Sequence, residues 1–304
     1  MSALTLALCQ RKGGVGRTSL TFNLAGAFAA AGSQVLLIDL DPQASLTKTC
    51  LGPEAVAVMP SHRTVAEILE GGSRVDAASL VWDVPEVPGV RILPGSGAVA
   101  KISRIDPEKS GRLRLALADA IESIGKARPH DVVLIDTPPT LEALTWIAAA
   151  VADAAFTPAP PEPMVAQELA DAAKFLERVR WAANPKLLWL GVVLTMHMPR
   201  LSIHAAIEQG LREEYGDFIF KKSVPHAAVF KEVAIVRKPI AMYKPSSSAA
   251  AAVQAIADEI RERMAFAKNG NANLAGQVSV DPQPQPEPET SPARKTRKGK
   301  GDAA

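Results

Sequence analysis

QRKGGVGRTS, Gln10 to Ser19, follows a short apolar run at 4–9 and leads into a helical pattern from Leu20 to Ala31. Strand, glycine-rich turn and helix, in that order, give a phosphate-binding loop its physics. Glycines let the backbone fold so that successive N–H groups point inward, and the helix N-terminus adds positive potential. Thr18 is placed to offer a hydroxyl to Mg²⁺, with Ser19 behind it. The stretch reads as a nucleotide-phosphate site whose cradle runs through Gly13, Gly14, Val15, Gly16, Arg17, Thr18 and Ser19.

Two positions depart from the standard loop, G-x-x-x-x-G-K-[ST]. Arg11 stands where the first glycine belongs, and Arg17 stands where the lysine belongs. A deviant loop, K-G-G-x-x-K-[ST], fits better, with Lys12 as its additional leading lysine. The rival pattern is a dinucleotide fingerprint, because Gly14-x-Gly16 is followed by an acidic strand end at Asp39 or Asp41. That fingerprint wants a third glycine where Ser19 stands, and it leaves Lys12 and Thr18 without a role.

Four further segments join the loop: LLIDLDPQASLT (36–47), DVVLIDTPPTLEAL (131–144), NPKLLWLGVVLTM (184–196) and KPIAMYKPSSSAA (238–250). With them, over about residues 4–265, the chain resembles the ParA/MinD family of deviant Walker ATPases, and within it the Soj-like ParA-type partition proteins. The resemblance implies an α/β P-loop NTPase with a mostly parallel, twisted sheet and helices on both faces. It implies ATP and Mg²⁺ as ligands. Asp41, second acid of DLDPQ, becomes the carboxylate that orients the attacking water, with Asp39 in support. Lys12 becomes the lysine that reaches the other subunit's nucleotide, so that an ATP-bound homodimer forms. The segments around Thr195–His197 and Val224–His226 become the adenine pocket. Non-specific DNA and a ParB-type protein become the partners, with a cytoplasmic, nucleoid-associated location.

The residues agree with the chemistry. Hydrolysis needs a phosphate cradle, a held metal ion and something to orient water. Asp136 ends the apolar run VVLID, as a Walker B carboxylate does, and is expected to hold Mg²⁺ through a water, opposite Thr18. Asp39 and Asp41 are two apart on a strand, so their side chains share a face. Arg17 keeps the positive charge of the usual lysine but spreads it over a planar fork, which is not a conservative change at a tight site. Slow turnover is the expectation.

The rest of the chain frames this site. Its 304 residues, 47% hydrophobic, suffice for one large domain. A net charge of +2 announces no nucleic-acid partner in bulk, so any basic surface must be local. Apolar runs at 4–9, 34–39, 89–94, 131–136, 154–158 and 187–194 alternate with helical patterns at 17–32, 64–71, 110–127, 141–151, 163–182, 202–215 and 246–267. Strands apolar throughout and separated by helices indicate a parallel sheet covered on both faces. Two cysteines without C-x-x-C spacing suit a reducing compartment, and none of the five histidines is paired at metal-ligand spacing. No apolar run approaches membrane-spanning length, and no amphipathic lipid-binding helix closes the sequence, so no membrane partner is expected.

Relatives' DNA-contacting arginines align with VPHAAVFKEVAIVRKP, where His226 and Val229 stand instead. Arg200, Lys221, Lys222, Lys231, Arg237 and Lys238 form the alternative basic set. The organisation expected is an ATPase domain at 1–268 and a proline-rich, then basic, disordered tail at 269–304. That tail either touches nucleic acid or an acidic surface through Arg294, Lys295, Arg297, Lys298 and Lys300, or only aids solubility. Three functions fit: a DNA-segregating ATPase, a nucleotide-gated positioning protein for another cargo, and a non-hydrolysing adaptor or repressor made so by Arg17.

Overall fold

Each apolar run, folded as a strand, sends alternate side chains to opposite faces. A computed structural model, describing residues 3–268, contains seven strands among those residues. They are β1 (Leu4–Leu8), β2 (Val35–Asp39), β3 (Trp82–Asp83), β4 (Val90–Leu93), β5 (Val132–Asp136), β6 (Ala154–Ala159) and β7 (Leu188–Leu194). The tail expected at 269–304 lies outside the described residues.

The α-helices come in chain order as α1 (Arg17–Ala30), α2 (Ser45–Leu51), α3 (Pro53–Val58), α4 (Val65–Gly71), α5 (Gly111–Ala127) and α6 (Ala143–Val151). They continue as α7 (Val165–Ala182), α8 (Ser202–Tyr215), α9 (Val229–Val236), α10 (Ile240–Tyr243) and α11 (Ser248–Lys268). The sheet order is β3-β4-β2-β5-β1-β6-β7, parallel except for the short β3, which runs antiparallel to β4. The sheet is therefore mostly parallel, as expected, with helices on both faces.

Leu6, Leu8, Leu37 and Leu134 point to one face, where they meet Leu24 and Phe28 of α1 and Val253, Ile256 and Ile260 of α11. Ala7, Cys9, Ile38 and Ile135 point to the other, against α4, α5, α6 and α7 through Ile68, Leu117, Ile147 and Leu176. Both faces are thus buried, which is why the strands carry no polar alternation. Burying each of these large side chains contributes about 1.5–3 kcal/mol.

This order puts the carboxyl ends of β1, β2 and β5 side by side. Parallel pairing matches Asp39 with Asp136 across β2 and β5. The chain leaves β1 toward β2 on one side and later crosses to β6 on the other, so the end of β1 is a topological switch point. Crevices of open α/β sheets form there.

Candidate nucleotide site

The loop between β1 and α1 turns sharply at two glycines, Gly14 (φ 76°) and Gly16 (φ 78°), a left-handed conformation that side chains disfavour. Gly16 is the residue before the first turn of α1, and neither a side-chain cap nor an acidic residue occupies that turn. The free N–H groups of a helix start then face outward with the dipole behind them. This cradle suits a phosphate on charge, and nothing lies within 4 Å of where a Cβ would stand on Gly14 or Gly16.

Thr18 and Asp136 come together directly. The Thr18 hydroxyl donates to Asp136 Oδ2 at 2.6 Å. Arg17, 6% exposed, lies on the other side of the same carboxylate, its Nε 3.5 Å from Oδ1. Its Nη1 donates to the Gln10 carbonyl at 3.1 Å, while Nε is a buried donor with no hydrogen-bond partner. An unpaired buried donor beside a hydroxyl and a carboxylate suits a site that takes up phosphate oxygens and a hard cation.

Burial pushes the Asp136 carboxyl up from its ordinary range, and the Arg17 charge and Thr18 hydroxyl pull it partly back. Asp39, fully buried, is also pushed up, first by desolvation and then by the neighbouring Asp136 charge. It accepts three hydrogen bonds, from the backbone N–H of Asp41 and from both the N–H and the hydroxyl of Thr47. Asp41 is nearly buried and accepts from the Gln43 N–H at 2.8 Å. Cys9 lies directly before the loop, but burial raises its thiol to about 12, so it supplies no nucleophile.

Lys12 is held within its own chain. Its ammonium donates to Glu162 Oε2 at 2.6 Å and to Glu168 Oε1 at 2.9 Å, and these contacts raise its pKa. Both carboxylates are about 150 residues away in sequence, and no local signal pairs them with Lys12.

A largely apolar cavity of about 270 Å³ opens beside the loop, lined by Gly16, Leu20, Thr195, Val224, Pro225 and Phe230 among others. Thr195 ties it to the loop by donating to the Val15 carbonyl at 2.8 Å. His226 also lines it, but His197 does not: its ring sits beside Ser223 and Glu208. Lys231, from the basic set, is another lining residue.

The remaining basic candidates differ in what they face. Arg237 pairs with Glu54 and Lys238 with Glu86, at 2.7 and 2.5 Å. Lys221 lies 3.8 Å from Glu262. Arg200, Lys222 and Lys231 are exposed and make no ion pair among the described residues.

The family model described as an AAA domain matches residues 3–189. The chain is 34% identical over 265 residues to the chromosome partitioning protein ParA of Caulobacter vibrioides, covering 86% of this chain and 96% of that one. It is 32% identical over 263 residues to the chromosome-partitioning ATPase Soj of Thermus thermophilus, covering 85% and 96%. Its backbone is similar to that of cobyrinic acid a,c-diamide synthase from Mycobacterium smegmatis with bound ADP and magnesium. The TM-score is 0.69 at 23% identity, over 89% of this chain and 97% of the other, a likeness of fold alone.

Proposed function

We propose, on the premise that this chain belongs to the ParA family of AAA-domain partition ATPases, that it binds ATP with Mg²⁺ on the 12–19 loop and hydrolyses it slowly. In this reading nucleotide binding assembles a homodimer that holds DNA without sequence preference. A ParB-type protein bound at a specific site stimulates hydrolysis, and the cycle segregates a chromosome or plasmid on the nucleoid. The contact of Thr18 with Asp136, beside Arg17 and an uncapped helix start, is the observation that carries it.

Each residue has a stated part. The loop backbone from Gly13 to Ser19 binds phosphate oxygens through N–H groups. Thr18 and Asp136 are the residues that would hold Mg²⁺, which when bound neutralises phosphate charge. Asp41 orients water for attack on the terminal phosphorus. Lys12 adds positive charge at the nucleotide once it leaves Glu162 and Glu168. The apolar cavity beside Thr195 and Pro225 takes the base. Among the described residues no helix is long and apolar enough to cross a membrane.

Turnover by the full chain, with and without DNA, tests the reading beside Asp41→Ala. Slow hydrolysis in the parent, lost in Asp41→Ala with nucleotide binding retained, is expected. Parental turnover in Asp41→Ala removes Asp41 from catalysis. No turnover under any condition, with binding intact, favours the adaptor reading, which the Arg17–Asp136 contact also supports.

A further inference from the structure

Asp39 is buried at the end of β2 and is given no direct contact with nucleotide in the reading above. Its three hydrogen bonds nevertheless converge from two different directions. Oδ1 accepts the Asp41 N–H at 3.0 Å. Oδ2 accepts the Thr47 N–H at 2.9 Å and the Thr47 hydroxyl at 2.7 Å. The same hydroxyl oxygen accepts the N–H of Gly95, from the turn after β4, at 2.8 Å.

Donors therefore converge on the Asp39 carboxylate from two sides, Gly95 through the Thr47 hydroxyl on one and the Asp41 backbone on the other. Thr47 and Asp39 are fully buried, so no water competes for these bonds. The close fit extends to the glycine. A Cβ on Gly95 would lie 2.7 Å from Asp39 Cγ and 2.9 Å from the Asp39 carbonyl oxygen, so only glycine lets this turn approach. Between Asp39 and Thr47 the segment 40–44 is fixed further by the Leu40 N–H donating to the Asp136 carbonyl at 2.9 Å, the Gln43 N–H to the Asp41 carboxylate at 2.8 Å and the Ala44 N–H to the Asp41 carbonyl at 2.8 Å, with Ala44 in the left-handed region (φ 50°).

We infer that Asp39 is a positioning residue: with Thr47 it sets where the Asp41 carboxylate stands and couples the 40–47 segment to the Gly95–Gly97 turn. The inference rests on the proposed role of Asp41 for its catalytic half and on hydrogen-bond geometry alone for its coupling half. A carboxylate that clamps its neighbour's backbone restricts where that neighbour's side chain can point, and misplacement of a reacting group by about 1 Å costs on the order of a hundredfold in rate. The Gly95–Gly97 turn also becomes a place from which a bound partner could loosen or tighten Asp41 without touching nucleotide.

Thr47→Val keeps the shape and removes the hydroxyl, whereas Thr47→Ser keeps the hydroxyl. Hydrogen exchange of the nucleotide-free full chain reads the coupling. In Thr47→Val the amides of Asp41 and Gly95 are expected to exchange at least about tenfold faster, together, with Thr47→Ser close to the parent. ATP turnover reads the use: Thr47→Val lowers kcat about tenfold or more with KM within about twofold, and Thr47→Ser restores it. Should Thr47→Val fail to fold, Asp39→Asn, which turns one acceptor into a donor, replaces it in both measurements. Parental exchange at Gly95 and Asp41 overturns the coupling. Parental kcat, or a change in KM alone, overturns the positioning. A parent that does not hydrolyse ATP overturns the proposed function, while the exchange measurement still decides the coupling.

Discussion

The Arg17 guanidinium and the Thr18 hydroxyl flank one carboxylate, Asp136, with Arg17 Nε 3.5 Å from Oδ1 and Thr18 Oγ1 2.6 Å from Oδ2. Neighbouring residues at the start of a helix thus occupy both oxygens of the side chain proposed to hold the metal ion. A lysine at position 17 has one compact ammonium and cannot span the Gln10 carbonyl and Asp136 as a planar fork does.

Arg17→Lys is therefore expected to release Asp136 Oδ1 and to place charge nearer the bond that breaks. A gain of about 1.4 kcal/mol at the transition state corresponds to roughly tenfold in rate. Single-turnover hydrolysis should rise by about that factor, with ATP affinity similar. An unchanged or slower Arg17→Lys protein would show that the loop is tuned to arginine.

Lys12 has to exchange carboxylates for phosphate if it is to serve a second subunit's nucleotide. Its contacts with Glu162 and Glu168 are partly solvated, and such pairs are worth about 0.2–1 kcal/mol. Glu168→Gln is then expected to strengthen ATP-dependent dimerisation modestly, up to about fivefold, whereas Lys12→Ala abolishes it with monomer binding of nucleotide kept. Light scattering with ATP and with ADP measures both. Equal dimerisation by parent and Lys12→Ala removes Lys12 from the interface.

Arg263 fixes the far end of α11 to the sheet. It pairs with Glu259 and donates to the carbonyls of Leu190 and Asp217, each at 2.6 Å, with its guanidinium over the Phe220 ring. Arg263→Met leaves the buried Glu259 carboxylate with the Lys221 N–H but without its cation, and takes the donor from two carbonyls; breaking such a pair from one side costs about 3–5 kcal/mol. Lys126→Met, which removes an exposed, solvent-screened pair with Glu122, should leave the melt close to the parent's. Denaturant melts compare the two, and equal losses would show that the Arg263 site is solvated in solution.

What could be read from sequence followed the range of the forces involved. The loop and the strand-end acids Asp39 and Asp136 were legible because strand, turn and helix are local patterns, and the expected α8 boundaries, 202–215, match the structure. The short helices α2, α3, α9 and α10 leave no pattern in the sequence, since four to eight residues give no usable helical period. Trp82–Asp83 is too short to alternate. The partners of Lys12, the Thr47–Gly95 bond and the carboxylates that neutralise Arg237 and Lys238 arise only when distant segments meet. No spacing in the chain encodes them.

That neutralisation bears on DNA binding. A lysine or arginine already paired with a carboxylate gains less from a phosphate, so Arg200, Lys222 and Lys231 are expected to contribute more than Arg237 and Lys238. Binding should require ATP, ignore sequence and fall steeply with salt. Each phosphate contact removed should lower the log–log salt slope by roughly 0.9. Replacing Arg200, Lys222 and Lys231 together by alanine is thus expected to flatten the slope by about 3, and replacing Arg237 and Lys238 by less than 1. The same titration on the chain truncated after Ala267 separates the folded surface from residues 268–304. Binding lost wholly on truncation places the contact in the basic stretch from Arg294 to Lys300 and removes the folded set. Binding retained, with the slope changed only by the triple variant, places it on the surface beside α8 and α9. Salt-insensitive binding by the intact protein would contradict phosphate contacts of either kind.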